Sequence, residues 1–199
     1  TYSLYIGIPF CPSRCSYCSF VSHSIDHPKA KKLLPDYLNH LVQEIAFTAN
    51  LARETGLRLR SVYIGGGTPT SLTAEQLKQV TDAVREHFDP PADMEYTIEA
   101  GRADTITPEK LRVIREAGAN RISINPQTFE DSVLQAVGRR HTANQVVECY
   151  KLARGYGFEA INMDLIAGLP TDTPEGFRRS LDRAIRLGPE NITVHALSV

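Results

Sequence analysis

Three closely spaced thiols carry the most pointed chemistry in the sequence. IPFCPSRCSYCSF, residues 8–20, sets Cys11, Cys15 and Cys18 in a C-x3-C-x2-C spacing, and the fourth cysteine, Cys149, lies far downstream. Clustered cysteines in a reducing compartment read as metal ligands rather than disulfide partners. A structural zinc site is four-coordinate and usually draws its cysteines from two separate knuckles. Here all three thiols sit in one loop, with Pro9 and Pro12 stiffening its entry. Two completions are open. His23 or His27 would supply a fourth ligand to zinc, which accepts a Cys3His set. Alternatively, the three thiolates would hold a [4Fe–4S] cluster, leaving one iron free for a non-protein ligand.

Other polar residues need the chain's elements to place them. YIGGGTPT, residues 63–70, carries three glycines that let the backbone approach a ligand, followed by Pro69. On its own this segment also fits an ordinary tight βα loop. Gln127 in SINPQTF reads alone as a turn residue, and Arg139 and Arg140 in VGRRHT as a solvated helix end. Glu99 in TIEAGR and Asp164 in NMDLIAGLP fall within apolar strands. A carboxylate on an inward strand face is costly unless it has a partner.

Short apolar runs alternate with longer helical patterns along the chain. The expected strands are SLYIGI, SVYIG, EYTIEA, RISIN, AINMDLI and NITVHAL. DYLNHLVQEIAFTANLA puts Leu38, Leu41, Ile45 and Ala49 on one helical face. AEQLKQVTDAVREHF does the same with Leu77, Val80, Val84 and Phe88. Thr73 and Gln76 form a capping-box pattern, and Thr107 and Thr173 precede Pro108 and Pro174 as expected caps of first helical turns. Serial β-then-α units predict an α/β fold with a parallel sheet and helices outside it, a partial (β/α)6 barrel of TIM type; a doubly wound sheet is the competing architecture. Alternation sets Thr97 and Glu99 opposite Tyr96 and Ile98, Ser123 and Asn125 opposite Ile122 and Ile124, and Asn162 and Asp164 opposite Ile161, Met163 and Leu165. A polar interior fits a wider, partly open barrel around a ligand, since a closed eight-stranded barrel fills itself with branched apolar residues. The cysteine loop, following the first strand, belongs at the C-terminal rim where such folds place their sites.

The chain has 199 residues, 42% hydrophobic, with a formal net charge of −1. That composition reads as one soluble domain over 1–199 with a sizeable core. No basic block is present to track a nucleic-acid backbone, and no apolar run is long enough for a membrane span. TYSLYIGIPFCP lacks the pattern of a signal peptide, so the expected location is the cytoplasm. The sequence stops just after its sixth strand, which reads as a fragment of a longer protein. Cys149, in NQVVECYKLARGYG, reads as a buried small hydrophobe.

C-x3-C-x2-C with Tyr17 before the third cysteine, together with GGGTP, resembles the radical S-adenosylmethionine (SAM) superfamily. The resemblance implies that Cys11, Cys15 and Cys18 hold a [4Fe–4S] cluster whose open iron is chelated by SAM. One electron from the reduced cluster would then split SAM to a 5′-deoxyadenosyl radical. Within that superfamily the chain resembles the oxygen-independent coproporphyrinogen III oxidase-like group. YIGIPFC is similar to that group's opening motif, which implies that Tyr5 lies against SAM. Gly65, Gly66, Gly67 and Thr68 would meet its amino-acid end, and Glu99 matches an acidic residue ending the third strand. Gln127 would contact the ribose and Arg139 the carboxylate. Asp164 matches an aspartate ending the fifth strand, and Ile166 and Ala196 would border the adenine.

Three details resemble the HemZ-like, dehydrogenase-type branch: Gly7 where other branches usually carry histidine, EAGRADT after the third strand, and NPQT after the fourth. The implied activity is that of a radical SAM oxidoreductase of porphyrin and haem biosynthesis. It would decarboxylate two propionates of coproporphyrinogen III to vinyls, giving protoporphyrinogen IX. Its implied partners are a porphyrinogen or haem and an electron donor of flavodoxin or ferredoxin type. Arg102, Arg140, His141 and His195 are the expected cations for the anionic substrate. Phe20 departs from the oxidase branch, which carries a further cysteine there, as the haem-chaperone branch does not. Two alternatives stand beside the enzyme: a haem-binding relative without decarboxylase activity, and a zinc-stabilised α/β domain.

Overall fold

Six strands run parallel in one sheet: β1 (Tyr2–Ile8), β4 (Leu59–Gly66), β5 (Glu95–Glu99), β6 (Arg121–Ser123), β7 (Ala160–Ala167) and β8 (Asn191–Ala196). The structure, a computed structural model, describes residues 1–20 and 23–197. Between β1 and β4 lies a two-stranded parallel ribbon of β2 (Phe10–Cys11) and β3 (His23–Ser24). The helices are α1 (Pro28–Glu54), α2 (Ala74–Phe88), α3 (Pro108–Glu116), α4 (Asp131–Ala136), α5 (Ala143–Gly155) and α6 (Pro174–Leu187).

Spatial order follows chain order, β1-β4-β5-β6-β7-β8, with β1 and β8 as free edges. A doubly wound sheet reverses direction at a switch point; this one never does. The result is the partial barrel expected from sequence, its sheet not closed. Outward faces of the strands carry Ile6, Ile64, Ile98, Ile122, Ile161 and Met163 into one core. Leu38, Leu41 and Ile45 of α1, Leu77, Val80 and Val84 of α2, and Leu111 and Ile114 of α3 meet them there. Fully burying each such side chain is worth roughly 1.5–3 kcal/mol, so this layer holds the sheet's curvature.

Local signals fix the helix starts. Thr73 and Gln76 complete a reciprocal capping box, and Thr107 and Thr173 accept the N–H groups of Lys110 and Gly176. A second capping box, Thr142 with Gln145, starts α5. α1 begins at Pro28 rather than at Asp36. His27 caps that earlier start, accepting from Lys29 N–H at 3.2 Å, and Pro35 sits on the exposed side of the helix. Water can there take the carbonyl that proline leaves unpaired. Among the described residues, no helix is long and apolar enough to cross a membrane.

Candidate functional site

Parallel pairing brings the C-terminal ends of all six strands to one rim, and their polar faces line a cavity of about 590 Å³. Small-molecule sites commonly enclose roughly 300–1,000 Å³. Thr97, Glu99, Ser123, Asn125, Asn162 and Asp164, the inward residues expected from alternation, all line it. Register stacks Glu99, Ser123 and Asn162 in one layer. Their side chains link across strands: Asn162 Nδ2 donates to Ser123 Oγ at 3.0 Å and Asp164 Oδ1 at 2.7 Å, Ser123 Oγ to Asn125 Oδ1 at 2.6 Å, and Thr193 Oγ1 to Asn162 Oδ1 at 3.1 Å.

Cys11, Cys15 and Cys18 all face this cavity from the loop after β1. The loop is pinned from several sides. Ser13 Oγ donates to Gly138 O at 2.7 Å, Ser16 N to Val137 O at 3.1 Å, and Ile25 N to Cys11 O at 2.8 Å. Arg102, only 2% exposed, donates to Ser13 O and Ser13 Oγ and reaches Cys15 Sγ at 3.3 Å. Thr68 Oγ1 donates to Cys11 Sγ at 3.5 Å. His27 is occupied as a helix cap, and the His23 ring lies tilted against Phe10. Neither histidine lines the cavity with the thiols. Among the described residues, no group of three or more His, Cys, Asp or Glu side chains is arranged to hold a metal ion. Three thiols without a histidine beside them are one donor short of a closed tetrahedral zinc site. A cluster takes each thiolate on a different iron.

The triple glycine is built into this anchoring. A Cβ on Gly67 would stand 2.6 Å from Phe10 O and 2.8 Å from Ile8 O. Without one, Gly67 N donates to Ile8 O at 2.8 Å and Thr68 N to Phe10 O at 2.7 Å. Close backbone approach is therefore used first against β1 and the cysteine loop, while Gly66, Gly67 and Thr68 still border the cavity. Gly65 leaves room for the side chains of Tyr63 and Glu99, each of which a Cβ there would crowd.

Glu99 accepts a short hydrogen bond from Tyr63 OH. Burial, the largest influence, raises its pKa; the Tyr63 bond opposes the rise and the Asp164 charge adds to it. Burial also pushes the Tyr63 phenol up. Among the described residues no Lys, Arg or His nitrogen lies within 4.0 Å of the Glu99 or Asp164 carboxylate. Two acids thus face the cavity without a cation.

Across from them, buried Arg139 donates from Nη1 to Asn125 O at 2.6 Å and Gly101 O at 3.2 Å, and from Nε to Tyr17 OH at 3.1 Å. Its Nη2 has no protein partner among the described residues. Burial pushes the Tyr17 hydroxyl up to about 12, against the Arg139 charge. Gln127 adopts a left-handed φ of 67°, an uncommon conformation for a residue other than glycine. It bridges β7 by donating its N–H to Asp164 O and accepting from Ile166 N–H, both at 2.9 Å. Its Oε1 is buried without a hydrogen-bond partner in the cavity wall. An orphaned acceptor of this kind costs free energy unless a ligand satisfies it.

Ile166 and His195 pair in register and both border the cavity. Tyr5 is largely exposed and stacks on Tyr63, with ring centroids 5.8 Å apart. Gly65 and Ala196 lie beside the lining rather than in it. Of the other cations expected to meet substrate, Arg140 is exposed and pairs with Asp26 at 3.5 Å. His141 is buried with its Nδ1 3.5 Å from Asp104 Oδ1. Neither lines the cavity; both sit in the connection between α4 and α5, where Arg140 points to solvent and His141 is packed. Arg102 does line it, with its guanidinium committed to the cysteine loop. Tyr63 is a site residue beyond those expected from the sequence, although alternation in SVYIG sets it opposite Val62 and Ile64. Cys149 is half-buried; burial pushes its thiol up to about 11, and its Sγ lies 3.3 Å from Ala103 O.

The family model for the radical SAM superfamily matches residues 5–184. The chain is 44% identical over 197 residues to an oxygen-independent coproporphyrinogen-III oxidase-like protein, HemZ, of Bacillus subtilis, covering 98% of this chain and 39% of that protein. It is 40% identical over 198 residues to the haem chaperone HemW of the same organism, covering 99% and 50%. Its fold matches the solved structure of coproporphyrinogen III oxidase HemN from Escherichia coli, a radical SAM enzyme. That match has a TM-score of 0.85 at 34% identity, covering 98% of this chain and 44% of that one. The chain thus spans half or less of the length of these relatives.

Proposed function

From a chain that belongs to the radical SAM superfamily, we propose a protein that carries a [4Fe–4S] cluster on Cys11, Cys15 and Cys18 and binds SAM across the polar face of its sheet. The observation that carries this reading is one cavity edged by three thiols of a single loop and walled by two acids without a cation. SAM brings a sulfonium and an ammonium, which suit Glu99 and Asp164. The free Nη2 of Arg139 suits the carboxylate. Gln127 Oε1 would accept from a ribose hydroxyl, which relieves its orphaned state. Ile166 offers an apolar wall for adenine and Ala196 its backbone, while Gly65 to Thr68 and Tyr5 border the amino-acid end. Bound together, cluster and SAM supply one-electron chemistry, which the protein orients and shields.

The substrate we propose is a porphyrinogen, decarboxylated as in the coproporphyrinogen III oxidase relatives, with an external one-electron donor of flavodoxin or ferredoxin type. Phe20, 67% exposed at the cavity, gives a flat apolar face where a tetrapyrrole would lie, and His195 a ring N–H donor for its propionates. The same Phe20 favours a second reading, a haem carrier, since it replaces a cysteine of the oxidase branch. Iron and acid-labile sulfide analysis tests the cluster: the reconstituted parent should hold near-stoichiometric amounts of both and Cys15→Ala should lose them. An unaltered cluster in Cys15→Ala would refute the ligand assignment. Haem titration then separates the two roles, because stoichiometric haem binding without porphyrinogen turnover supports the carrier.

A further inference from the structure

Cys15 has a buried cation for a neighbour. Arg102 Nη1 lies 3.3 Å from Cys15 Sγ, and its Nη2 donates to Ser13 Oγ at 2.8 Å. Behind it, Asp104 Oδ1 stands 3.4 Å from Arg102 Nε and 3.5 Å from His141 Nδ1. The guanidinium is thus aimed at the thiol from one side and anchored from the other, with only 3% of its side chain exposed. By contrast, Cys11 receives the neutral Thr68 hydroxyl at 3.5 Å. Sequence reading offered Arg102 to the substrate, yet its side chain is 3% exposed and its donors are committed to the loop.

Resting on the cluster reading above, we propose that Arg102 is a positioning residue that raises the reduction potential of the cluster through Cys15. An N–H donated to a ligating sulfur draws electron density from the iron it binds. Adding one electron makes the cluster more negative, so a fixed cation stabilises the reduced form more than the oxidised one. Burial of the guanidinium limits solvent screening of that field, and Asp104, on the far side from the thiol, offsets only part of it. The cation thus eases the step in which an external one-electron donor reduces the cluster.

The test is an EPR-monitored redox titration, without SAM, of the reconstituted parent, Arg102→Gln, Arg102→Lys and Ser13→Ala. Arg102→Gln should lower the reduced-to-oxidised ratio at a given potential about tenfold, a midpoint roughly 59 mV more negative for a one-electron couple. Arg102→Lys, which keeps the charge and loses the fork, should lower it about threefold. Ser13→Ala removes one tether of the loop and of Arg102 while Asp104 still anchors the guanidinium, and should shift the midpoint much less than Arg102→Gln. An unmoved potential in Arg102→Gln, or an equal shift in Ser13→Ala, overturns the proposal. If Arg102→Gln holds no cluster, Arg102→Lys decides: a threefold fall supports the role and an unchanged midpoint overturns it. A parent that assembles no cluster overturns the reading beneath this one as well, whereas a parent cluster indifferent to Arg102 overturns this one alone.

Discussion

Glu99 ends β5 with a neutral hydrogen-bond partner, the Tyr63 hydroxyl, so a negative charge there is not compensated. Burial raises its folded pKa above the ordinary 4.5. A raised value means that Glu99 contributes to stability fully below pH 4.5 and that the contribution is lost as pH rises through the folded value. In the ligand-free chain, Glu99→Gln is therefore expected to melt higher than the parent at pH 7.5, with the gap closing towards pH 4.5. Thermal melts across that range check it, and a gap that stays constant or reverses contradicts the account. At this scale the sequence was readable wherever alternation applied: Glu99, Ser123, Asn162 and Asp164 fall on the inward face because Ile98, Ile122, Ile161 and Met163 fall on the other. Arg102 was not readable. Its contact with Cys15 spans 87 positions, and no local pattern couples an arginine after the third strand of the sheet to a thiol after the first.

The starts of α2, α3 and α6 were legible because caps are local chemistry; those of α1 and α5, and the segments around the cysteine loop, were less so. β2 and β3 form a two-residue ribbon, too short for any periodicity, and α4 is a six-residue helix without a side-chain cap bond. The α5 start matters for the site, since its capping box follows Arg139 by three positions. There Gln145 N donates to Thr142 Oγ1 at 3.3 Å and Thr142 N to Gln145 Oε1 at 2.8 Å. Thr142→Ala should cost about 1 kcal/mol, read as a lower urea midpoint with an unchanged m-value. A loss below about 0.3 kcal/mol would show that tertiary packing, not the cap, fixes where α5 begins.

The chain folds as a partial barrel whose first five sheet strands carry an apolar layer outside and a polar face within. Its outward isoleucines settle the architecture, and its inward polar layer leaves the cavity to a ligand rather than to a packed core. Chain order and sheet order coincide, which is why serial β-then-α reading sufficed for topology. What binds beyond the rim was less legible, because the chain spans half or less of its relatives' length and the cations expected there are largely turned to structural work. The central claim is that one open iron position, offered by three thiolates of a single loop, is met by SAM held on the polar face. Electron paramagnetic resonance of the anaerobically reconstituted, dithionite-reduced chain, with and without SAM, tests it most directly. The account predicts a [4Fe–4S]+ signal that changes on adding SAM; a signal indifferent to SAM, or a folded chain that assembles no cluster, would contradict it.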